Sequence, residues 1–528
     1  MSNNLPPYLL LIDGLQRTLV NPTLSLRWHE LLDYYKLVKN PELRARVRHS
    51  LLHGVPRTGV TGFFLATFMH EVTGELAYLD EAGLIVQQIA PLDPDRLMAF
   101  IVFLWGHFIS RSTDRAHFVN ILRTARMHEI VSMLGRNFAE TTKTCPPLRP
   151  VASIKKVALV ASYIGQDSHA PTPLALQHAR LLRDLGYQVH LFSPQELRVQ
   201  DMPHYMGNNM NLVTYAPDVA QLRKMVPEGV SLTLSDERFS LTRRWEDLLL
   251  SVGKFDPDLV MFVGLNCPFI EPLFQTRPVL GLCVHATPPM APVDVWLTAN
   301  PDLANTMSTI WGPEIPEAWG HFHPFRVTLK AKGAPVPRAE LGLRESSLVL
   351  ISVGARLQGE IEGLWAERMC ELLTRHAEVQ WLLVGGAGTL PPALAEHSAP
   401  DQFKVMRHHA DLRSVMSHCD IYVNPPRVGG GFSVAEAMAE GLPVTAFANS
   451  DGGDKIGSAA STDIDAYFTR LEELIVDSSK RQACGKALQA LFNETLNLEQ
   501  AGPSLRDACE LTLKRFQQRT AQAMADIK

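Results

Sequence analysis

Residues 429–436 read Gly-Gly-Gly-Phe-Ser-Val-Ala-Glu, three glycines leading into a helix-forming segment with a carboxylate one turn inside it. An apolar strand, Asp420-Ile421-Tyr422-Val423-Asn424, precedes the glycines; Gly441 and Pro443 stop the helix. Strand, glycine loop and helix start together make an anion-binding device. Glycine lets backbone approach a phosphate closely, and the unpaired N–H groups of the first turn point at its charge. Gly429, Gly430 and Gly431 are therefore candidate phosphate contacts. Phe432 and Ser433 open the helix, and Ser433 can cap it while facing the same anion. Glu436 can accept hydrogen bonds from the two hydroxyls of a ribose. The combination points to a nucleoside diphosphate.

The nine residues Glu436-Ala-Met-Ala-Glu-Gly-Leu-Pro-Val444 resemble the donor-site signature of the large retaining family of GT-B glycosyltransferases, Glu-Ala-Met-Ala-x-Gly-x-Pro-Val. That family includes sucrose synthase and many bacterial polysaccharide enzymes. The glycine lead-in is similar to that of the cytoplasmic protein glycosyltransferases, the adhesin N-glycosyltransferases and the O-linked N-acetylglucosamine transferases. The likeness in element order extends over residues 155–500. It is motif-specific only around 350–360 and 420–457.

The resemblance implies roles for further residues. Arg356, in Val353-Gly-Ala-Arg-Leu357, is similar to the arginine that contacts the donor diphosphate. A cation there stabilises the leaving group without a metal. The family often has a lysine shortly after; here Gln358-Gly359-Glu360 stands instead. The retaining family also has a glutamate eight positions before the one at 436, where this chain has Val428. Retention of anomeric configuration therefore does not follow, and the comparison shifts toward the protein glycosyltransferases, which invert. The run Asp451-Gly-Gly-Asp454-Lys455, after the next strand, can reach the sugar or the diphosphate, or form a plain turn. On the facing half, His285 ends a strand and is a candidate base or diphosphate contact; a structural histidine is the alternative. Gly165 and His169 follow the first strand, where donor or acceptor contacts occur. Asp256-Pro-Asp258 and Asp93-Pro-Asp95 imitate a metal-binding Asp-x-Asp, but read as turns and caps. No metal is expected.

These residues need two sheets to carry them. From Lys155 the pattern alternates strand and helix, with strands predicted at Val157–Ala161, Gln188–Phe192, Leu259–Val263 and Val279–Val284. A second alternating block has strands predicted at Leu348–Val353, Val379–Val384, Phe403–Met406, Asp420–Asn424 and Pro443–Phe447. Such alternation makes parallel sheets covered by helices, with ligands at the strands' carboxyl ends. Residues 1–150 instead read as helices. Trp28, Leu31, Leu32 and Tyr35 share one helical face, Asn40-Pro41 starts a helix that Gly54 stops, and Thr113-Asp114 starts one that Gly135 ends. The proline-rich run Cys145–Pro150 marks a boundary. The expected architecture is α/β: a GT-B pair of facing Rossmann-like domains, preceded by an all-α N-terminal domain. The boundaries are 1–150 for the helical domain, 151–335 for the acceptor-side domain, 336–490 for the nucleotide-sugar side and 491–528 for helices packing back.

Bulk properties narrow the function. The 528 residues exceed one core, and a net charge of −5 argues against nucleic acid. The longest apolar stretch, Leu97 to Ile109, is too short for a transmembrane segment, and residues 1–26 lack a secretory pattern. Seven scattered cysteines read as reduced thiols, hence a cytoplasmic protein. The expectation is a metal-independent glycosyltransferase with a nucleotide-sugar donor, taken from the resemblance as a UDP-sugar. The acceptor is a protein or a glycan, with protein favoured by the placement of the helical domain. A homo-oligomer, a lipid-linked acceptor, an epimerase and an inactive scaffold stay open. A chain starting near Ser153 is expected to keep nucleotide binding.

Overall fold

The computed structural model describes residues 5–89, 93–109, 112, 114–166, 169, 171–197, 219–285, 287–299, 307–313, 315–329, 331–386, 388–395 and 400–525. Two parallel sheets organise it. The first contains β1 (Lys156–Ala161), β2 (Gln188–Ser193), β3 (Ser231–Leu234), β4 (Leu259–Val263), β5 (Val279–Leu282), β6 (Val295–Thr298) and β7 (Trp319–Phe322), in spatial order β3-β2-β1-β4-β5-β6-β7. The second contains β8 (Leu348–Val353), β9 (Val379–Val384), β10 (Phe403–Met406), β11 (Ile421–Val423) and β12 (Val444–Thr445), in order β10-β9-β8-β11-β12. In both, the strand order reverses beside the first strand, between β1 and β4 and between β8 and β11. These are the switch points at which a crevice opens beyond the strand ends.

Alternation along each strand divides the cores. Ala158 and Val160 of β1 face one cluster, whereas Val157, Leu159 and Ala161 face another. In the second sheet Val349 and Ile351 of β8 lie on one face and Leu350 on the other. Strands β3, β6 and β7 carry no strong sequence pattern: β3 is half-exposed, and the short β6 and β7 follow a turn-rich stretch.

The N-terminal helices form a third layer. Asn40 caps Pro41–Gly54 by accepting from the Glu42 and Leu43 amides at 2.9 and 3.2 Å. Trp28, Leu31, Leu32 and Tyr35 are all buried. The helix expected from 113 to 135 is two helices, Arg115–Thr124 and Met127–Thr141, broken where Arg126 adopts φ +58°. Thr113 lies outside the described residues, and Asp114 supplies the cap, accepting from His117 N–H at 2.8 Å. Gly135 sits inside the second helix. A Cβ there meets Glu271 Cβ at 3.0 Å, so this glycine serves close packing rather than termination.

The helical layer shares one continuous core with the first sheet. Phe138 packs on Trp245 and Phe269, with ring centroids 5.1 and 6.3 Å apart, and the cluster runs on to Val160 and Phe262. Its other end reaches Val428 beside the glycine loop. The proline-rich run is docked too: Arg277 donates to Pro147 O at 2.7 Å, and Arg149 pairs with Asp256 and Asp258 at 3.1 and 2.8 Å. Asp256 ends a helix at φ +49° and Asp258 accepts from the Lys155 and Lys156 amides at 2.9 Å, so this Asp-x-Asp is structural. At the other end of the chain, Gly502–Ala525 returns to the first sheet, burying Leu505, Ala508 and Cys509 there. No described helix is long and apolar enough to cross a membrane.

The shared core changes the expectation for a chain starting near Ser153. Trp245, Leu248, Phe269 and Ile270 lose their cover. At about 1.5–3 kcal/mol each, these four alone approach the 5–15 kcal/mol stability of an ordinary domain. Such a chain is expected to aggregate or to lose cooperative unfolding, as read by calorimetry against the full chain. A sharp, native-like transition is the contrary result.

Candidate active site

A cavity of about 530 Å³ lies between the two sheets. The second sheet contributes the ends of β8 and β11. Arg356 follows β8, and Gly429 to Gly431 lead from β11 into the helix Gly431–Ala439. Gly430 caps that helix at φ +91°, and a Cβ there meets Arg427 Nη2 at 2.5 Å, so both the dihedral and the space require glycine. Ser433 Oγ donates to Gly430 O at 3.1 Å and meets Tyr422 Oη at 2.7 Å. Phe432, Ser433 and Glu436 all line the cavity.

Beneath them lies Arg427, which is 2% exposed. Its Nη1 donates to Glu360 Oε2 at 2.9 Å, its Nε to Asn424 Oδ1 at 2.9 Å and its Nη2 to Val353 O at 2.9 Å. Arg356 leans on the same carboxylate, its Nε 3.1 Å from Glu360 Oε1, and stays 37% exposed toward the cavity. Burial alone raises the pKa of Glu360, but Arg427 and then Arg356 outweigh it and hold it below the usual glutamate range. Gln358-Gly359-Glu360, which stands in place of the family's lysine, is thus an anchor for two arginines.

The first sheet contributes His285, His169, Asn266 and Arg326. His285 Nδ1 lies 3.4 Å from Asp451 Oδ2, across the cleft, and its ring lies 5.5 Å from Phe118 of the helical layer. Burial pushes His169 down to about 4, leaving it neutral and a poor proton acceptor; its Nδ1 is 3.2 Å from Thr172 Oγ1. Of the two histidines, His285 has the better geometry for a base, because a carboxylate faces its ring. Helix Pro94–Ile109 adds an apolar wall of Ile101, Val102, Trp105 and Ile109.

Ten of the twelve residues singled out in sequence line this one cavity: His285, His169, Arg356, Gly429, Gly430, Gly431, Phe432, Ser433, Glu436 and Lys455. Gly165 and Asp454 do not. The Gly165 amide donates to Thr172 Oγ1 at 2.9 Å, and Asp454 pairs with Arg115. Sequence reasoning passed over Arg427, Asn424 and the segment His408–Arg413, which also lines the cavity; it met Glu360 only as a replacement for a lysine, and Asp451 only as the first residue of the run ending at Lys455. An arginine between an apolar strand and a glycine loop was the available signal for Arg427. Among the described residues no cluster of His, Cys, Asp and Glu has metal-ligand geometry.

Residues 349–477 match the family model of glycosyl transferases group 1. By sequence, no curated protein matches. Among solved structures, a mutant O-GlcNAc transferase of Thermobaculum terrenum is similar with a TM-score of 0.58 and 12% identity, over 96% of this chain and 94% of that one. The glycosyltransferase SnogD from Streptomyces nogalater is similar with a TM-score of 0.36 and 15% identity, over 67% of this chain and 99% of its own. The fold is that of GT-B glycosyltransferases, and the matched stretch places a glycosyltransferase domain on the second sheet. That stretch runs from β8 through the helix Ile464–Val476 and holds Arg356, Glu360, Arg427 and Glu436.

Glu360→Gln is expected to destabilise the protein by about 3–5 kcal/mol at neutral pH, since it breaks a buried pair and leaves Arg427 without a counter-charge. The folded pKa of Glu360 lies below the unfolded one. Its contribution is therefore complete above the ordinary value of about 4.3 and lost as pH falls through the folded value. Urea titrations at several pH values should show the gap to wild type narrowing in acid. A gap that stays constant with pH contradicts this assignment.

Proposed function

We propose that the protein transfers a sugar from a nucleotide-sugar, a UDP-sugar, to a side chain of an acceptor protein. One observation carries the donor half of this reading. Glu436, the glycine loop and Arg356 face a single cavity at the switch point of the second sheet. The loop amides and the helix start take the diphosphate, Arg356 adds a cation, and Glu436 accepts from the ribose hydroxyls. Arginine and backbone dipoles together supply the positive potential, so the reaction is proposed to run without a metal.

His285 is the proposed base for the acceptor hydroxyl. Val428 stands where a retaining enzyme has its second acid, and it is buried against the helical layer. This supports direct displacement with inversion. The protein acceptor is supported by the likeness to the O-GlcNAc transferase, which extends over the helical layer as well as both sheets. A cytoplasmic site of action is supported by the seven unpaired cysteines.

Glu436→Ala tests the donor site. A hydrogen-bonded carboxylate contributes about 1.5–3 kcal/mol, so affinity for UDP is expected to fall about ten- to a hundred-fold in calorimetric titration. Thermal stability should barely change, because alanine suits a helix. Equal affinities remove Glu436 from the site. Release of UDP from UDP-sugars that depends on added cell protein, with mass gained by that protein, tests the acceptor. Wild type that binds UDP but never turns over supports an inactive scaffold instead.

A further inference from the structure

Besides the apolar core that reaches Val428, the helical layer touches the donor half of the site through an ionic contact. Arg115, at the start of Arg115–Thr124, pairs with Asp454, and each side chain is 7% exposed. The Arg115 amide also donates to Asn449 O at 2.9 Å, and Asn449 Nδ2 donates to Asp114 Oδ1 at 3.3 Å. The three contacts grip the segment that opens the short helix Asp451–Ile456. Asp454 faces the helical layer, and Lys455, the next residue, lines the cavity.

Lys455 is 7% exposed and, among the described residues, has no hydrogen-bond partner for its ammonium group. Its neighbours leave it short of negative charge. Arg326, buried in the same wall, is held by carbonyl oxygens of His323, Phe325 and Leu297 and, among the described residues, by no carboxylate. Among the described residues, three cations (Arg115, Arg326, Lys455) therefore stand against two carboxylates (Asp451, Asp454), and Asp451 is shared with His285. Burial first, then Arg326, lower the pKa of Lys455, so an anion in the cavity is the missing partner of this cluster. The backbone of Gly431 is adjacent: a Cβ there lies 3.2 Å from Asp451 Cβ.

Resting on the donor-site reading above, we infer that Lys455 is the cation that meets the leaving diphosphate and that Arg115 of the helical layer is its positioning residue. In the transfer step the bond between the anomeric carbon and the distal phosphate oxygen breaks, and its electron pair stays on that oxygen. The acceptor oxygen forms the new bond to carbon and gives its proton to His285. The diphosphate gains one negative charge as it leaves, and the ammonium of Lys455 stabilises that charge more than it stabilises the bound donor. The acceptor side of the fold thereby sets the position of a donor-side charge.

The full-length protein is titrated with UDP and with UMP, which lacks the distal phosphate. Lys455→Met is expected to weaken UDP binding about ten- to a hundred-fold and to leave UMP within about threefold. Arg115→Met should weaken UDP about three- to tenfold, and Arg115→Met combined with Lys455→Met should be no weaker than Lys455→Met alone. Arg115→Lys replaces Arg115→Met if the latter does not fold, since it keeps the charge and loses the guanidinium geometry. UDP binding by Lys455→Met equal to wild type, or an equal loss of UDP and UMP, overturns the role of Lys455. Full additivity of the two substitutions overturns the route from Arg115. Wild type that binds no UDP overturns the donor-site reading itself. UDP binding that responds to Glu436→Ala but not to Lys455→Met overturns only this inference.

Discussion

A guanidinium buried at the switch point of the second sheet sets the geometry around it. Arg427 lies between the ends of β8 and β11, where backbone groups lack sheet partners, and it donates to Val353 O on one strand and to the Asn424 side chain after the other. Removing such a charge from water is tolerable only when it is paired and its donors are used. Glu360 meets the first demand. Once Glu360 is fixed, Arg356 has a fixed partner as well. Arg427 also touches Tyr422 Oη at 3.3 Å, which meets Ser433, which in turn donates to Gly430 O. The glycine loop and the cavity-facing Arg356 thus inherit their positions from one side chain that is itself only 2% exposed.

The two halves of the cleft are not symmetric. The second sheet presents backbone amides, arginine and carboxylate, as a charged ligand requires. The first sheet presents histidine and asparagine, backed by an apolar wall that the helical layer supplies through Ile101, Val102 and Trp105. An apolar wall lowers the local dielectric and strengthens every charge interaction inside the closed cleft. The helical layer is therefore both cover for the first sheet's core and part of the cavity lining, which a boundary drawn at a proline-rich run does not convey.

The central strands were legible because burial on both faces writes them as largely apolar runs: Leu259–Val263 and Leu348–Val353, the latter with one serine, agree residue for residue with β4 and β8. Edge and short strands were not, since Trp319–Phe322 is exposed at both ends, half-buried between them, and carries no apolar run. Glycine was ambiguous for the same physical reason that makes it useful. Gly54 ends a helix, whereas Gly135 lies within one because Glu271 packs against it. Cavity-lining residues were legible where they are local in sequence, as in the stretch from Gly429 to Glu436. Glu360 and Arg427 are 67 positions apart and acquire a meaning only when β8 and β11 become neighbours. Asp451 likewise meets His285 across 166 positions. No spacing rule reaches that far.

The His285–Asp451 contact joins the two sheets directly, and this bears on when the site is complete. His285 follows β5 in the first sheet, and Asp451 follows β12 in the second. Asp451 is held to its own half by its amide, which donates to Val428 O at 2.9 Å. Burial disfavours its charge, yet the hydrogen bond and charge of His285, with Lys455 and Arg115, keep its pKa below the ordinary aspartate range. If the halves part, Asp451 loses His285 and gains water, and His285 loses the carboxylate that orients its ring. The same parting strains the Arg115–Asp454 pair, whose members belong to the helical layer and the second sheet. His285, Lys455 and the glycine loop are therefore brought together by the contacts that hold the two halves, and under the proposed function a parting of those halves would admit water while leaving His285 without the carboxylate that orients it.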